Sequence, residues 1–287
     1  GNAAVTFSRQ GLRTAAIVKI GGDETGKTIT DELKKEGVKP FFVLDKSGSS
    51  AYSTVLLAEG GERTILVYRG AADDLKWNEA KIPRAEWAYI VPGGIEFEAI
   101  SRTVDFLRER GVFIAMNPSG FYIKMGRAKL EPMLRKIKVV ILNREEAAEL
   151  TQVAYDNEKE IFAELDKMVP GIAVMTDGPR GVTVSDGESL YKAGIFKEKR
   201  LADRTGAGDG FGAGFVAGLI RQKERCEQGK CSRTSLEYAI RLASANATSV
   251  VEYIGAKEGI LSRKQFEEEE RWQNLEVKTV SHKDIKP

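Results

Sequence analysis

Apolar residues in this chain gather into short runs, and between these runs they recur three or four positions apart. The short runs predict strands at 14–20, 86–92, 112–117, 138–143 and 172–177. The wider spacing predicts helices at 27–37, 96–110, 144–152, 158–169, 208–223, 235–254 and 262–274. Because the strands are apolar without strict alternation and take turns with helices, we expect an α/β fold. Its mostly parallel central sheet should be covered by helices on both faces.

The segment AYSTVLLAEGGERTILVYRG (51–70) interrupts this alternation. Its two apolar halves flank a Glu-Gly-Gly-Glu turn, a pattern that predicts an antiparallel hairpin. A hairpin within a series of strands and helices is either a lid or dimer contact or an extension of the sheet edge. The pattern alone leaves both open.

Composition limits the classes of function. The 287 residues are 42% hydrophobic and 30% charged, which is typical of a soluble globular protein with one large α/β domain or two smaller ones. The net charge of +2 argues against a nucleic-acid or membrane-surface partner. No apolar run approaches the ~20 residues of a membrane span, and we find no secretory signal. We therefore expect a cytoplasmic protein.

Cysteine and histidine offer little chemistry. Cys226 and Cys231 lie in a charged stretch, where a local disulfide or half a metal site are the alternatives to the free thiols that we expect. His282 is the only histidine and lies in a polar tail, which excludes mechanisms built on a histidine base.

Two glycine-rich segments are candidates for phosphate binding. The first, GGDETGKT (21–28), fits the Walker A pattern of P-loop nucleoside triphosphatases through Gly21, Gly26, Lys27 and Thr28. A predicted strand precedes it and a predicted helix follows it, as a P-loop requires. A competing phosphate site elsewhere in the chain would decide the matter.

The second segment, LADRTGAGDGFGAGFVAGLI (201–220), places Gly206, Ala207 and Gly208 at the start of a helix of small residues. Small residues allow the backbone N–H groups at a helix start to approach an anion closely. Asp209 would repel a bound phosphate, and a general base that takes the proton of an attacking hydroxyl explains its presence. The alternative is a packing helix with an N-terminal Asp cap.

The stretch D-R-T-G-A-G-D-G (203–210) resembles the signature of the ribokinase-like, or PfkB, carbohydrate kinases. The resemblance implies a ribokinase-like three-layer αβα sandwich with a small β lid. It implies a single kinase domain over 1–287, with the 51–70 hairpin as its lid, and ATP and Mg²⁺ as cofactors. Asp209 would be the base and the Gly206–Asp209 backbone the anion hole. GGDETG then matches a structural turn of the family, with Lys27 on the surface, which disfavours a P-loop.

Further segments extend the resemblance. NREE (143–146) implies Asn143 near the triphosphate and Glu146 organising water around Mg²⁺. TDGPRG (176–181) implies nucleotide contacts from Thr176, Gly178 and Gly181. The segment 243–260 is similar to the region flanking adenine, with Ser244 and Asn246 as alternative base contacts. In members activated by a monovalent cation, K⁺ would be held at Asp203, Thr205, Val250 and Gly255.

The acceptor end shows departures from the family. GNAAVTFSRQGL (1–12) resembles its G-x-N-x-A segment, in which Asn2 matches a residue that contacts a sugar hydroxyl. Gly93 and Gly94 follow a strand that usually ends in a sugar-binding acid in ribokinases, which puts ribose in doubt and suits nucleosides or sugar acids. Family members carry a first strand, lid strands and a substrate-binding Asp before this point. We therefore expect a missing N-terminal portion rather than a naturally shortened relative.

The resulting hypothesis is an ATP-dependent phosphotransferase that phosphorylates a hydroxymethyl group of a sugar, a sugar derivative or a nucleoside. Besides this small-molecule substrate, the sequence leaves open a monomer and a homodimer formed through the lid, whose exposed β faces make the dimer plausible. The alternative is a non-catalytic nucleotide- or metabolite-sensing protein on the same fold, which needs neither Asp209 nor Glu146.

Overall fold

The secondary structure follows the alternation of the sequence over most of the chain. The computed structural model describes residues 1–287 apart from 47, 58–62, 72–74, 76, 78, 223–230 and 282–287. The helices are α1 (Asn2–Arg9), α2 (Glu24–Lys35), α3 (Phe97–Glu109), α4 (Gly120–Ile123), α5 (Arg127–Leu134), α6 (Arg144–Thr151), α7 (Glu158–Met168), α8 (Ala207–Arg221), α9 (Arg233–Val251) and α10 (Arg263–Glu268). The strands are β1 (Ala15–Gly21), β2 (Lys39–Asp45), β3 (Tyr52–Leu57), β4 (Arg63–Tyr68), β5 (Trp87–Ile90), β6 (Phe113–Met116), β7 (Val139–Asn143), β8 (Ile172–Thr176), β9 (Val182–Ser185), β10 (Ser189–Ala193) and β11 (Val277–Ser281).

The central sheet has seven strands in the order β11-β10-β9-β8-β7-β6-β5. Strands β5 to β8 pair in parallel, and the three remaining pairings are antiparallel. Five of the seven strands therefore run in one direction, with β9 and β11 reversed. The prediction of a mostly parallel central sheet is confirmed.

Two apolar cores lie on opposite faces of this sheet. In β7, Val140 and Leu142 face a core shared with α3 to α7, whereas Val139 and Ile141 face a core shared with α8 and α9. Because both faces are covered, the four successive residues Val139 to Leu142 are all buried, which explains why the predicted strands lack polar alternation. The three-layer αβα arrangement is confirmed.

Two predicted elements differ from the structure. The strand predicted at 14–20 is β1, but it pairs in parallel with β2 as a separate two-stranded sheet and does not join the seven-stranded one. The helix predicted at 262–274 ends at Glu268 and is followed by a single 3₁₀ turn, Glu270–Trp272. The break turns Trp272 inward, where its ring packs edge-on against Phe196 at 5.2 Å between centroids.

The hairpin predicted at 51–70 is present as β3 and β4, which pair antiparallel from Tyr52 opposite Tyr68 to Leu57 opposite Arg63. Its turn falls in 58–62, outside the described residues. Among the described residues, the two strands form a separate two-stranded sheet, so they do not extend the edge of the central sheet.

The expectation of free thiols at the two cysteines is wrong for Cys231. Cys231 is disulfide-bonded rather than a free thiol, and Cys226 and His282 lie outside the described residues. Within the described part of the chain, every helix is too short or too polar to cross a membrane.

Glycines let α8 pack closely on α9, and this contact is testable. A Cβ added at Gly218 would lie 2.6 Å from the Cα atom of Ala239, a backbone atom that cannot move aside alone. We expect Gly218→Ala to lower the free energy of unfolding by ~1–3 kcal/mol, although alanine is the better helix former. Urea denaturation measures the change.

Gly120→Ala is the matched control, since Gly120 also lies in a helix and no atom is within 4 Å of its added Cβ. It should leave the urea midpoint unchanged or slightly raised. Equal stability of the two variants would contradict the packing argument.

Candidate active site

The carboxyl ends of the parallel strands bring several predicted residues to one edge of the central sheet. Asn143, the last residue of β7, lies in register with Thr176, the last residue of β8. The N-terminal half of α8 reaches the same region, because a Cβ at Gly212 would contact Tyr89 of β5 and Ile141 of β7. Ligand sites in sheets of this kind form along such an edge.

The start of α8 is shaped for close approach of an anion. Gly206 is the N-cap residue in the left-handed conformation (φ +83°), and a Cβ there would lie 2.8 Å from the Cβ atom of Ala256. In the part of the chain that the structure describes, no side chain caps this helix. Among the described residues, the backbone N–H groups of Gly208 and Asp209 have no hydrogen-bond acceptor. Together with the helix dipole, these open N–H groups favour negative charge at this point.

Asp209 lies in this first turn, beside the predicted substrate residue. The side-chain amide of Asn2 donates to Oδ2 of Asp209 at 3.3 Å, across 207 positions of sequence. The carboxylate therefore faces α1 rather than the N–H groups of its own helix. The predicted base and one predicted acceptor contact thus meet in space.

Asn143 and Glu146 form a capping box at the start of α6. The Asn143 side chain accepts from the Glu146 N–H at 2.8 Å, and Oε2 of Glu146 accepts from the Asn143 N–H at 2.9 Å. Burial raises the pKa of Glu146 above its usual value, the charges of Glu145 and Glu149 add to the rise, and the Asn143 N–H opposes it. The predicted nucleotide and Mg²⁺ residues thus also stabilise the helix start.

The Thr176–Gly181 loop carries an ion-pair network that the sequence did not reveal. Asp177 accepts from Arg180 at 2.6 and 2.8 Å, from Arg144 at 2.8 Å and from the Tyr155 hydroxyl at 3.0 Å. The Arg180 hydrogen bonds above all, with those of Arg144 and Tyr155, lower the pKa of Asp177 to about 2. The network ties the loop to α6. Its residues are far apart in sequence, so no spacing signals it.

Two glycines of this loop have positive φ, +52° at Gly178 and +96° at Gly181. A Cβ at Gly181 would lie 2.0 Å from the Ala193 carbonyl oxygen, so a side chain is sterically excluded there. The loop runs directly on from Thr176, whose hydroxyl donates weakly to the Leu142 carbonyl at 3.4 Å. The three predicted nucleotide residues are therefore held on one rigid turn.

The two alternatives for the adenine contact are both buried in α9. The Asn246 amide donates to the Gly210 carbonyl at 2.8 Å and accepts from the Leu261 N–H at 2.9 Å, with no exposed surface. These partners engage both ends of its amide, so the side chain is not available to a nucleotide base. Ser244 is 3% exposed, and neither side chain presents an open surface to a ligand.

The residues predicted for a monovalent cation lie together. Oδ1 of the buried Asp203 carboxylate accepts from the Thr205 N–H and hydroxyl at 2.9 and 2.7 Å, and its Oδ2 accepts weakly from the Gly255 N–H at 3.4 Å. The Asp203 N–H donates to the Val251 carbonyl, next to Val250. The Asp203 carboxylate supplies oxygen, the ligand type that a hard cation prefers.

At the acceptor end, Gly93 and Gly94 follow β5 at the same edge of the sheet. Gly93 has φ +56°, and its carbonyl accepts from the Ser119 hydroxyl. A Cβ at Gly94 would lie 3.2 Å from Nη1 of Arg69. Within the described part of the chain, no hydrogen bond joins this turn to Asp209.

The Walker-like segment is closed by its own aspartate. Asp23 caps α2 by accepting from the Gly26 N–H at 2.9 Å, and it also accepts from the Ser50 N–H and hydroxyl. Its carboxylate thus takes the first-turn N–H that a phosphate would need. Lys27 and Thr28 are exposed on the following turn. This geometry is that of a structural turn between β1 and α2.

A comparison with known protein families gives a match over most of the chain. Residues 1–263 match the pfkB family of carbohydrate kinases. The chain belongs to this family.

Two relatives and one solved structure are similar to this chain over most of its length. An uncharacterized sugar kinase of Archaeoglobus fulgidus is 27% identical over 262 residues, covering 88% of this chain and 97% of that protein. A nucleoside kinase of Methanothermobacter thermautotrophicus is 27% identical over 265 residues, covering 90% and 79%. The structure of an Arabidopsis thaliana ribokinase complexed with ribose and ATP has a TM-score of 0.75 at 20% identity, covering 95% and 86%. The last likeness shows the ribokinase fold.

Proposed function

We propose that this protein is an ATP-dependent phosphotransferase that phosphorylates a hydroxymethyl group of a sugar, a sugar derivative or a nucleoside. The observation that carries the proposal is the position of Asp209. Its carboxylate lies in the first turn of α8, beside open N–H groups, and contacts Asn2. A base next to an anion hole is what phosphoryl transfer to an alcohol requires.

In the reaction, Asp209 takes the proton of the acceptor hydroxyl while the oxygen of that hydroxyl bonds to the γ-phosphorus of ATP. The bond from this phosphorus to the bridging oxygen breaks, and ADP leaves. The N–H groups of Gly208 and Asp209 stabilise the charge on the transferred group, and Asn2 orients the acceptor. Positioning and electrostatic stabilisation supply most of the rate in such transfers.

The start of α8 and the carboxylate of Glu146 support binding of ATP and Mg²⁺. Gly206 has no side chain, and a Cβ there would clash with Ala256. The start of α8 is therefore open to the triphosphate. The carboxylate of Glu146 uses one oxygen in the capping box, and its second oxygen would accept from water on a bound Mg²⁺. Bound Mg²⁺ would supply charge neutralisation between the phosphates. Asp203, Thr205, Val250 and Gly255 would hold K⁺.

Several relatives support a small hydroxylated acceptor without selecting one. The two relatives described above are named a sugar kinase and a nucleoside kinase. The turn at Gly93 and Gly94 carries no acidic side chain of its own, which favours acceptors other than ribose. Thr176, Gly178 and Gly181 stay the proposed nucleotide contacts, whereas the burial of Ser244 disfavours a contact from its side chain.

Asp209→Asn tests the base. We expect kcat to fall ~10²–10⁴-fold while the affinity for ATP stays nearly unchanged, because the amide cannot accept the proton yet keeps the shape of the site. ADP release with Mg-ATP and K⁺ is measured over a panel of sugars, sugar acids and nucleosides.

Lys27→Ala is the control for this experiment, since a P-loop enzyme would lose nucleotide binding and this site would not. Wild-type turnover in Asp209→Asn would reject the base. ATP binding without phosphorylation of any acceptor would instead favour the non-catalytic sensing protein.

The raised pKa of Glu146 predicts that the Mg²⁺ concentration needed for half-maximal rate depends on pH. Because burial raises its pKa, the side chain is protonated at a higher pH than an ordinary glutamate, and a protonated carboxyl attracts the hydrated cation less. The concentration of Mg²⁺ for half-maximal rate should therefore rise as pH falls from 7.5 to 5.5.

Glu146→Gln separates this effect from the titration of ATP, which is the same for both proteins. The variant should need ~10-fold more Mg²⁺ at pH 7.5, the loss of about one charge-assisted contact, and show a weaker further rise at pH 5.5. Parallel pH curves for the two proteins would contradict the role of Glu146.

The hairpin of β3 and β4 is proposed as a lid through which two copies associate. Tyr52 and Tyr68 lie opposite each other, and Leu56 and Leu66 lie on the same face, each with about half of its surface exposed. Leu56→Ser combined with Leu66→Ser should shift a dimer to monomer in sedimentation velocity, because the apolar face would be lost. Thr64→Ser on the same face should change nothing. A monomeric wild type would reject the proposal.

A further inference from the structure

The hydroxyl of Tyr89 stands out among the polar groups around the site. It is fully buried, and no group among the described residues forms a hydrogen bond with it. A buried hydroxyl without a partner lowers stability relative to phenylalanine at the same position. The mechanism described above does not use it, so its presence needs another explanation.

The packing of Tyr89 fixes its hydroxyl below the catalytic turn of α8. The hydroxyl oxygen would lie 2.4 Å from a Cβ at Gly212, so only glycine leaves room for it. Phe7 of α1 packs edge-on against the ring, at 5.6 Å between centroids and 68° between planes. Tyr89 thus touches both the helix that carries the base and the helix that carries Asn2.

Asp209 precedes Gly212 by three positions, so both lie on the same face of α8, one turn apart. Burial raises the pKa of Tyr89 well above its usual value, the charge of Asp209 adds to the rise, and Asn117 opposes it. Tyr89 therefore stays a neutral O–H donor throughout the working pH range, within electrostatic reach of the carboxylate. The Asn117 side chain lies near the Tyr89 hydroxyl without forming a hydrogen bond to it, and a charged carboxylate is a stronger acceptor than an amide.

We propose that Tyr89 is a positioning residue for the base, whose O–H donates to the Asp209 carboxylate in the reacting complex. The inference rests on the proposed function. Asn2 holds Oδ2 by a long hydrogen bond of 3.3 Å, and catalytic hydrogen bonds of this kind shorten when substrate binds. With donors from Asn2 and Tyr89, the carboxylate keeps one orientation toward the acceptor hydroxyl.

Tyr89→Phe tests this role, with Tyr191→Phe as the matched control. The rings of both tyrosines pack in the core between the sheet and α8–α9. The Tyr191 hydroxyl has a partner, Asp186 at 3.1 Å, near the turn between β9 and β10.

Tyr89→Phe should lower kcat roughly tenfold, as expected for a hydrogen bond to a charged group. It should leave the KM for ATP unchanged and keep or raise Tm, since an unpaired hydroxyl is removed. Tyr191→Phe should show the opposite pattern, with a lower Tm and unchanged kcat. Unchanged kcat in Tyr89→Phe, a lower Tm, or loss of the fold would each overturn the proposal.

A double-mutant cycle with Asp209→Asn asks whether Tyr89 acts through the base. In the Asp209→Asn background, Tyr89→Phe should cause no further loss of kcat. An undiminished tenfold loss there would overturn the proposal. The failures are distinguishable, because full activity of Asp209→Asn rejects the base itself. Loss of activity in Asp209→Asn but not in Tyr89→Phe rejects only Tyr89.

Discussion

The close seating of α8 between the central sheet and α9 is the contact on which the site depends. Gly218 meets the backbone of α9 and Gly212 receives the Tyr89 hydroxyl, while Phe211 and Phe215 fill the core against the sheet. Backbone atoms and buried rings have little freedom to shift. They therefore fix how far the first turn of α8 extends past the strands, and with it the position of Asp209.

Sequence patterns predicted four of the seven strands of the central sheet, β5 to β8, and missed β9, β10 and β11. Strands such as β7 and β8 are buried on both faces, so they appear as continuous apolar runs between helices. The pattern gave no information on which strands pair with each other. It therefore assigned 14–20 to the central sheet, whereas in the described part of the chain β1 forms a separate sheet with β2.

The site residues were predictable where a motif is local and not where roles depend on distant partners. The Gly206–Asp209 segment combines backbone conformation and charge within a few residues, and the structure shows both at the start of α8. Asn246 has the same polarity whether it contacts a base or joins α9 to neighbouring segments, and only its partners identify the second role. The contacts of Asp177 and Tyr89 likewise come from residues remote in sequence, which a sequence pattern cannot show.

The two glycine-rich segments, 21–28 and 201–220, differ in how the helix that each one begins is capped. Asp23 closes the start of α2, and Asn143 closes that of α6, in each case by accepting a first-turn N–H. Gly206 leaves the start of α8 without a side-chain cap, and Asn2 holds the nearby carboxylate of Asp209 away from the N–H groups. An anion competes poorly with a covalently attached carboxylate, which is always present at the helix start. The open start of α8 therefore supports the proposed phosphate site there, and the capping aspartate inside the Walker-like segment argues against one at α2.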